Sequence, residues 1–180
     1  MNIFCLDQDP ASAAAMHCDK HVVKMIVEYA QLLSTAHRVL DGVKQTQVIN
    51  GRSRQVFVLS GEQQELVCYK ATHINHPCAI WARSSSANYN WLVQLLSCVL
   101  AQYTDRYGKQ HATTKFLPFL SKPPNNIPHG KLTAFAQAMP DEYRSADAVL
   151  AYRTYYIHAK SSFAKWRMGN VPEWFTSQQA

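Results

Sequence analysis

The sequence of this 180-residue chain contains no CxxC pair, and its five cysteines, Cys5, Cys18, Cys68, Cys78 and Cys98, are odd in number and scattered. That pattern argues against a disulfide framework and against a zinc knuckle, and it fits a reducing cytosol. No window approaches the roughly eighteen consecutive apolar residues of a membrane span. The opening MNIFCLDQDP has neither a positive n-region nor an apolar h-region, so no signal peptide and no membrane association are expected and the location is cytoplasmic. Neither a GxGxxG nor a Walker loop occurs, which removes the usual support for a small-molecule or nucleotide-processing enzyme. Internal repeats and low-complexity segments are also absent. Acidic residues are scarce: 12 Asp and Glu stand against 18 Lys and Arg, for a net charge of +6 and a pI near 9.1. Such a surplus suits a polyanionic partner, with solubility as the plainer explanation.

What remains is the composition of a globular chain, 47% hydrophobic and 17% charged. A single domain over residues 1–180 is expected, mainly α, compact, and built on two or three long helices with a small β-hairpin insertion at 43–58. Asp9-Pro10 reads as an N-cap followed by proline at the first helical position, and helical periodicity runs on to Leu40 before Asp41-Gly42. Asn50-Gly51, flanked by β-prone runs, predicts a tight hairpin turn. Residues 61–72 read as helical, and His76-Pro77 interrupts the chain before a short turn through Trp81. Ser86 is placed to cap a helix from Ala87 to Tyr107 that closes at Gly108. Prolines break the segment 109–144, leaving short helical pieces at 113–120 and 132–138. A last helix capped by Ser145 runs to Met168.

On the first helix, His17, Lys20, His21, Lys24, Glu28, Gln31, Thr35 and Arg38 fall within a sector of roughly 100°. Apolar residues cover most of the rest. The plain reading is a solvated face with a Lys24–Glu28 ion pair. The sharper one is a cleft in which clustered histidine, lysine and carboxylate move one another's pKa values toward neutrality. His17 and His21 at i, i+4 can share a metal, with His76 as the least implausible third ligand, but no third ligand follows at a matching spacing and neither metal nor cofactor is expected. His37 lies on the apolar side and reads as a core residue. On the last helix Arg153, Lys160 and Arg167 recur along one stripe beside Tyr152 and Tyr156, a layout suited to phosphate contact and base stacking. Packing inward is the competing role of those rings, and of Trp81, Trp91, Phe163 and Trp166.

Taken together, the N-terminal block, the HP…W…N..WL block and the LTAFAQAMPDEYR…AYRTYY block resemble a family of small proteins from tailed bacteriophages over nearly the whole length. More distantly, the layout resembles the pyrimidine-dimer DNA glycosylases of the endonuclease V type. There a short N-terminal segment leads into a central helix carrying a basic residue beside a catalytic glutamate. On that alignment the basic residue falls on Lys20, the glutamate position on His21 and a further basic residue on Lys24. Those glycosylases attack with the α-amine exposed by removal of the initiator methionine, whereas the bulk of Asn2 disfavours removal of Met1.

The expectation is therefore a DNA-binding enzyme, acting on double-stranded DNA by base excision or base modification. Lys20 or Lys24 would serve as amine nucleophile or phosphate anchor, with the α-amine of Met1 as a further candidate nucleophile. His17, His21 and Glu28 would move protons, with Asp19 and His76 nearby. The alternative from another class is a non-catalytic DNA-binding accessory protein.

Overall fold

The computed structural model describes residues 1–60 and 67–177, and it is mainly α. Helix α1 spans Pro10–Met16, α2 Asp19–Asp41, α3 Pro77–Ser84, α4 Ser86–Tyr107, α5 Leu117–Leu120, α6 Ala148–Lys160 and α7 Glu173–Thr176. Strands β1 (Val43–Ile49) and β2 (Arg52–Val58) form the one antiparallel hairpin among the described residues. Helices are thus more numerous than two or three, although only α2 and α4 exceed twenty residues. Among the described residues no helix is long and apolar enough to cross a membrane.

The core lies between α2 and α4. Val22, Met25, Ile26, Tyr29, Leu32 and Leu33 of α2 are buried with Tyr89, Leu92, Leu95, Leu96 and Val99 of α4. The segment Ile3–Leu6 joins this core as irregular chain rather than as an edge: all four residues are buried, and Phe4 stacks on His21 at 4.4 Å and meets Tyr152 and Tyr156 edge-on. Several local expectations hold. Asp9 accepts from Ser12 N at 2.8 Å ahead of Pro10, Gly108 closes α4 in the left-handed region, and Asn50 and Gly51 take positive φ in the hairpin turn. The cap of α4 is Ser85 rather than Ser86.

Four expectations are corrected. The first helix is broken at His17 and Cys18, which are extended, so α1 and α2 are separate. Helical propensity runs through the break, but tertiary contacts override it. The buried Arg106 of α4 donates to the carbonyls of Ala15 and His17 at 3.1 and 2.8 Å and pairs with Asp19 at 3.0 Å, so it satisfies the end of α1 and the start of α2 together. The last helix stops at Lys160 and begins after Asp147, which accepts from the amides of Val149 and Leu150 in place of a Ser145 cap. Residues 132–138 are irregular, held in part by Thr133 N bonding to Asn88 Oδ1 at 2.9 Å. Of the helix expected over 61–72, residues 61–66 lie outside the described residues and 67–72 are irregular, tied to α2 by Thr72 N and O on Thr35 Oγ1.

Arg106→Met is expected to lower stability by about 3–5 kcal/mol in urea denaturation, because it strands a carboxylate and two carbonyls around a buried site. A loss no larger than that of an ordinary surface change would show that Arg106 does not set the break.

Candidate functional site: a carboxylate at the start of the chain

The expected polar seam divides once it is folded. His17 is fully buried: its Nδ1 lies 2.6 Å from Ala13 O and its Nε2 2.7 Å from Tyr29 Oη. A carbonyl can only accept, so the Nδ1 carries the proton and the Nε2 accepts from the tyrosine hydroxyl. His21 is also buried, with its Nδ1 2.6 Å from Tyr156 Oη, which itself accepts from Cys18 N at 3.1 Å. Both rings are neutral partners of tyrosine. Burial first, and the Arg106 charge, hold the His17 pKa down to about 4. Burial and then the charges of His17, Lys160, Lys24 and Lys20 hold His21 down to about 3. These two residues hold α1, α2 and α6 together, and the expectation that they face a cleft is corrected.

The other expected residues scatter. Lys20 is exposed with its ammonium 4.4 Å above the Phe163 ring, and Asp19 is committed to Arg106 and to the amide of Arg167. Tyr152 and Tyr156 are fully buried and present no face to a base, which corrects their place in a DNA-binding row. The row itself does not form. Arg153 donates to Leu6 O at 2.8 Å and pairs with Asp7 at 3.1 Å, Lys160 lies 3.0 Å from Tyr155 Oη, and Arg167 falls beyond α6 with its guanidinium over Tyr107. The packing expected of Trp81, Trp91, Trp166 and His37 is observed.

Chemistry gathers instead at Glu28. Its Oε2 lies 3.1 Å from Asn2 N and 3.9 Å from the α-amine of Met1, and its Oε1 lies 3.2 Å from Lys24 Nζ. Two amines thus meet one carboxylate, which is itself mostly buried, while Lys24 stands in solvent. The chain start is fixed from the opposite side. Asn2 Nδ2 donates to Ala138 O at 3.0 Å, and Tyr152 Oη lies 2.7 Å from Asn2 Oδ1. Cys78 Sγ is 3.8 Å from the same Asn2 oxygen, and burial pushes its thiol up to about 11, so it remains protonated.

His76 borders this group. Its Nδ1 accepts from Cys78 N at 3.2 Å, capping α3. Burial lowers its pKa first, the positive α-amine and His73 lower it further, and Glu28 opposes them. His73 sits three residues earlier in the left-handed region (φ 49°), a conformation uncommon for a non-glycine residue. Of the expected catalytic residues, the structure therefore brings together Lys24, Glu28 and His76, and leaves out His17, Asp19, Lys20 and His21. Asn2 and Tyr152 as supports of the chain start were not anticipated; the apolar run Ile3–Leu6 was the signal, since a buried opening segment must carry the residues before it inward.

No group of three or more His, Cys, Asp or Glu among the described residues is placed to hold a metal ion. The cavity under the hairpin, about 260 Å³ and lined by Arg54, Lys70, Val56 and Ile74, lies elsewhere and contains no carboxylate, histidine or cysteine.

Two outcomes follow for the buried histidines. Below the ordinary pKa of 6.5 the unfolded chain takes up protons that folded His17, His21 and His37 refuse until about 4, 3 and 4. Stability is then present above pH 6.5 and lost as pH falls toward 4, by up to about 1.4 kcal/mol per pH unit for each histidine. Urea midpoints compared at about pH 7 and about pH 5 check this, and equal midpoints would refute neutral burial. His21→Ala is expected to cost about 2 kcal/mol or more, since it opens a cavity beside Phe4 and orphans the Tyr156 hydroxyl.

Compared with family models, with curated proteins and with solved structures, the chain matches none.

Proposed function

We propose that this chain is a DNA-acting enzyme of the base-excision kind, in which an amine held against Glu28 attacks a deoxyribose carbon. The observation that carries the reading is the convergence of the Met1 α-amine and Lys24 on the Glu28 carboxylate, which also accepts from Asn2 N. An amine and a carboxylate in contact are what imine chemistry needs. The neutral amine attacks C1′, and the bond from C1′ to the base breaks with its electron pair leaving on the base. The sugar ring then opens to a C=N bond as the amine proton passes by way of the carboxylate to the ring oxygen.

Between the two amines we favour the α-amine as nucleophile. Its place is fixed by the bonds of Asn2, whereas Lys24 is extended into solvent and suited to a phosphate. His76 is the group beside them able to hand a proton to the departing base. The resemblance to the endonuclease V-type glycosylases supports this reading in a modified form: the carboxylate comes from Glu28, two turns beyond the His21 position on which the alignment places it.

Borohydride is expected to trap a covalent adduct with duplex DNA carrying an abasic site or a pyrimidine dimer, and peptide mapping is expected to place it on the α-amine. Glu28→Gln keeps the shape and removes the base, so the adduct should be lost while the fold, followed by thermal melting, is retained. An adduct on Lys24 would exchange the two amines' roles. No adduct on any lesion, with DNA binding intact, would overturn excision in favour of base modification or binding alone.

A further inference from the structure

The hairpin β1–β2 plays no part in the core. Val43 to Val48 and Gly51 to Gln55 are exposed; each seven-residue strand is about 23 Å long at the usual rise, and the cavity between the hairpin and the body is lined by Gln47, Ile49, Arg54 and Val56 on the hairpin side. Its polar content is one-sided in charge. Lys44, Arg52 and Arg54 are its only charged residues, and no Asp or Glu occurs between Gly42 and Ser60. Among the described residues no carboxylate pairs with any of the three. The acid at the root, Asp41, is turned away, accepting from the amides of Asn125 and Asn126 at 2.7 and 2.9 Å. Around the cations stand groups that both donate and accept: Gln45, Thr46, Gln47, Asn50, Ser53 and Gln55.

The arm is nevertheless rigidly rooted. Arg38, buried near the end of α2, donates to Phe57 O at 3.0 Å and to Tyr69 O at 2.6 Å, which joins β2 and the 69–72 segment to the helix. That stretch of chain, through Lys70, Ala71 and Ile74, walls the hairpin cavity and continues to His76, whose charge senses Glu28 and the α-amine. Glu28 and Arg38 are ten residues apart on one helix, about 15 Å. At about 3.4 Å per base pair, the hairpin stands four or five base pairs from the carboxylate along a duplex.

The geometry points to the hairpin as a groove-inserted arm for double-stranded DNA: a two-stranded ribbon that enters the major groove beside the reacting nucleotide, with Arg52 and Arg54 on one face and Lys44 on the other directed to the two flanking backbones and Asn50 of the turn leading toward base edges. A two-stranded ribbon fits the width of that groove, and cations unopposed by carboxylates are what phosphate contact requires. The assignment rests on the reading that the chain acts on DNA, but not on the imine chemistry.

The test is the triple variant K44Q/R52Q/R54Q of the full chain, compared with the unaltered protein on a short duplex carrying an abasic site. Three lost phosphate contacts should reduce the slope of log affinity against log salt by about 2 to 3. Affinity at moderate salt should fall at least tenfold, with the melting temperature unchanged. Each single variant should reduce the slope by about 1, which keeps the test valid if the triple variant folds poorly. Dimethyl sulfate should show guanine N7, in the major groove, protected by the unaltered protein and exposed in the variant. An unchanged slope and affinity would overturn the proposal, as would an equal loss on single-stranded DNA or RNA, or protection confined to adenine N3 in the minor groove. The Glu28 chemistry fails separately: absence of the borohydride adduct with a hairpin-dependent slope removes only the excision reading, whereas an adduct with a slope indifferent to the three cations removes only the arm. Absence of DNA binding removes both.

Discussion

Burial of the chain's opening segment is the constraint on which the other features depend. Ile3, Phe4, Cys5 and Leu6 are buried, and Phe4 alone meets the rings of His17, His21, Tyr152, Tyr155 and Tyr156, so the segment packs against both α2 and α6. Irregular chain placed there brings backbone polar groups with it, and each must find a partner. Phe4 N goes to Tyr29 Oη, Leu6 O to Arg153 and Asn2 N to Glu28. Glu28 is therefore first a structural acceptor. Its second oxygen meets Lys24, and the same burial that holds the segment in place puts the α-amine against it.

The arrangement also explains why tyrosine is the working partner of the interior. Tyr29 and Tyr156 each accept a backbone amide and donate to a histidine, and Tyr152 accepts Ala138 N at 3.3 Å while its hydroxyl faces Asn2 and Ala136. Burial raises the pKa of all three. A hydroxyl that stays protonated bridges a donor and an acceptor without placing a charge in the core, which a lysine or carboxylate in the same place would do at far greater cost. The histidines remain neutral for the same reason, so the aromatic cluster is a polar network with no net charge.

Legibility in the sequence followed the range of the forces involved. The hairpin turn at Asn50-Gly51, the Asp9-Pro10 start and the Gly108 stop were readable because a local backbone requirement selects those residues. The break at His17-Cys18 was not, since it is imposed by Arg106, roughly ninety positions away, and the surrounding alanines favour helix throughout. Periodicity carried through that break placed His17 and His21 beside Lys24 on one exposed stripe. Lys24, Glu28 and His76 were readable as residues with chemistry, but their meeting with the chain start was not, because Asn2 carries no signal of its own and its anchors, Ala138 and Tyr152, come from the far end of the sequence.

The same distinction governs the positive charge. A net +6 suggested basic rows along the helices, yet Arg38, Arg106 and Arg153 bind carbonyls or carboxylates of their own chain and serve the fold. A guanidinium presents several donors in a fixed fork, so it suits a buried junction where two or three carbonyls converge, and the most buried cations are accordingly arginines. The hairpin cations differ in their surroundings: Lys44, Arg52 and Arg54 stand on exposed strands from which carboxylates are excluded by sequence. The ribbon meets the body at its root and across the cavity that Gln47, Ile49, Arg54 and Val56 share with Lys70, Ala71 and Ile74, and self-repulsion among three like charges weakly opposes it. Among the described residues none of the three meets a carboxylate, which sets them apart from the arginines that serve the fold.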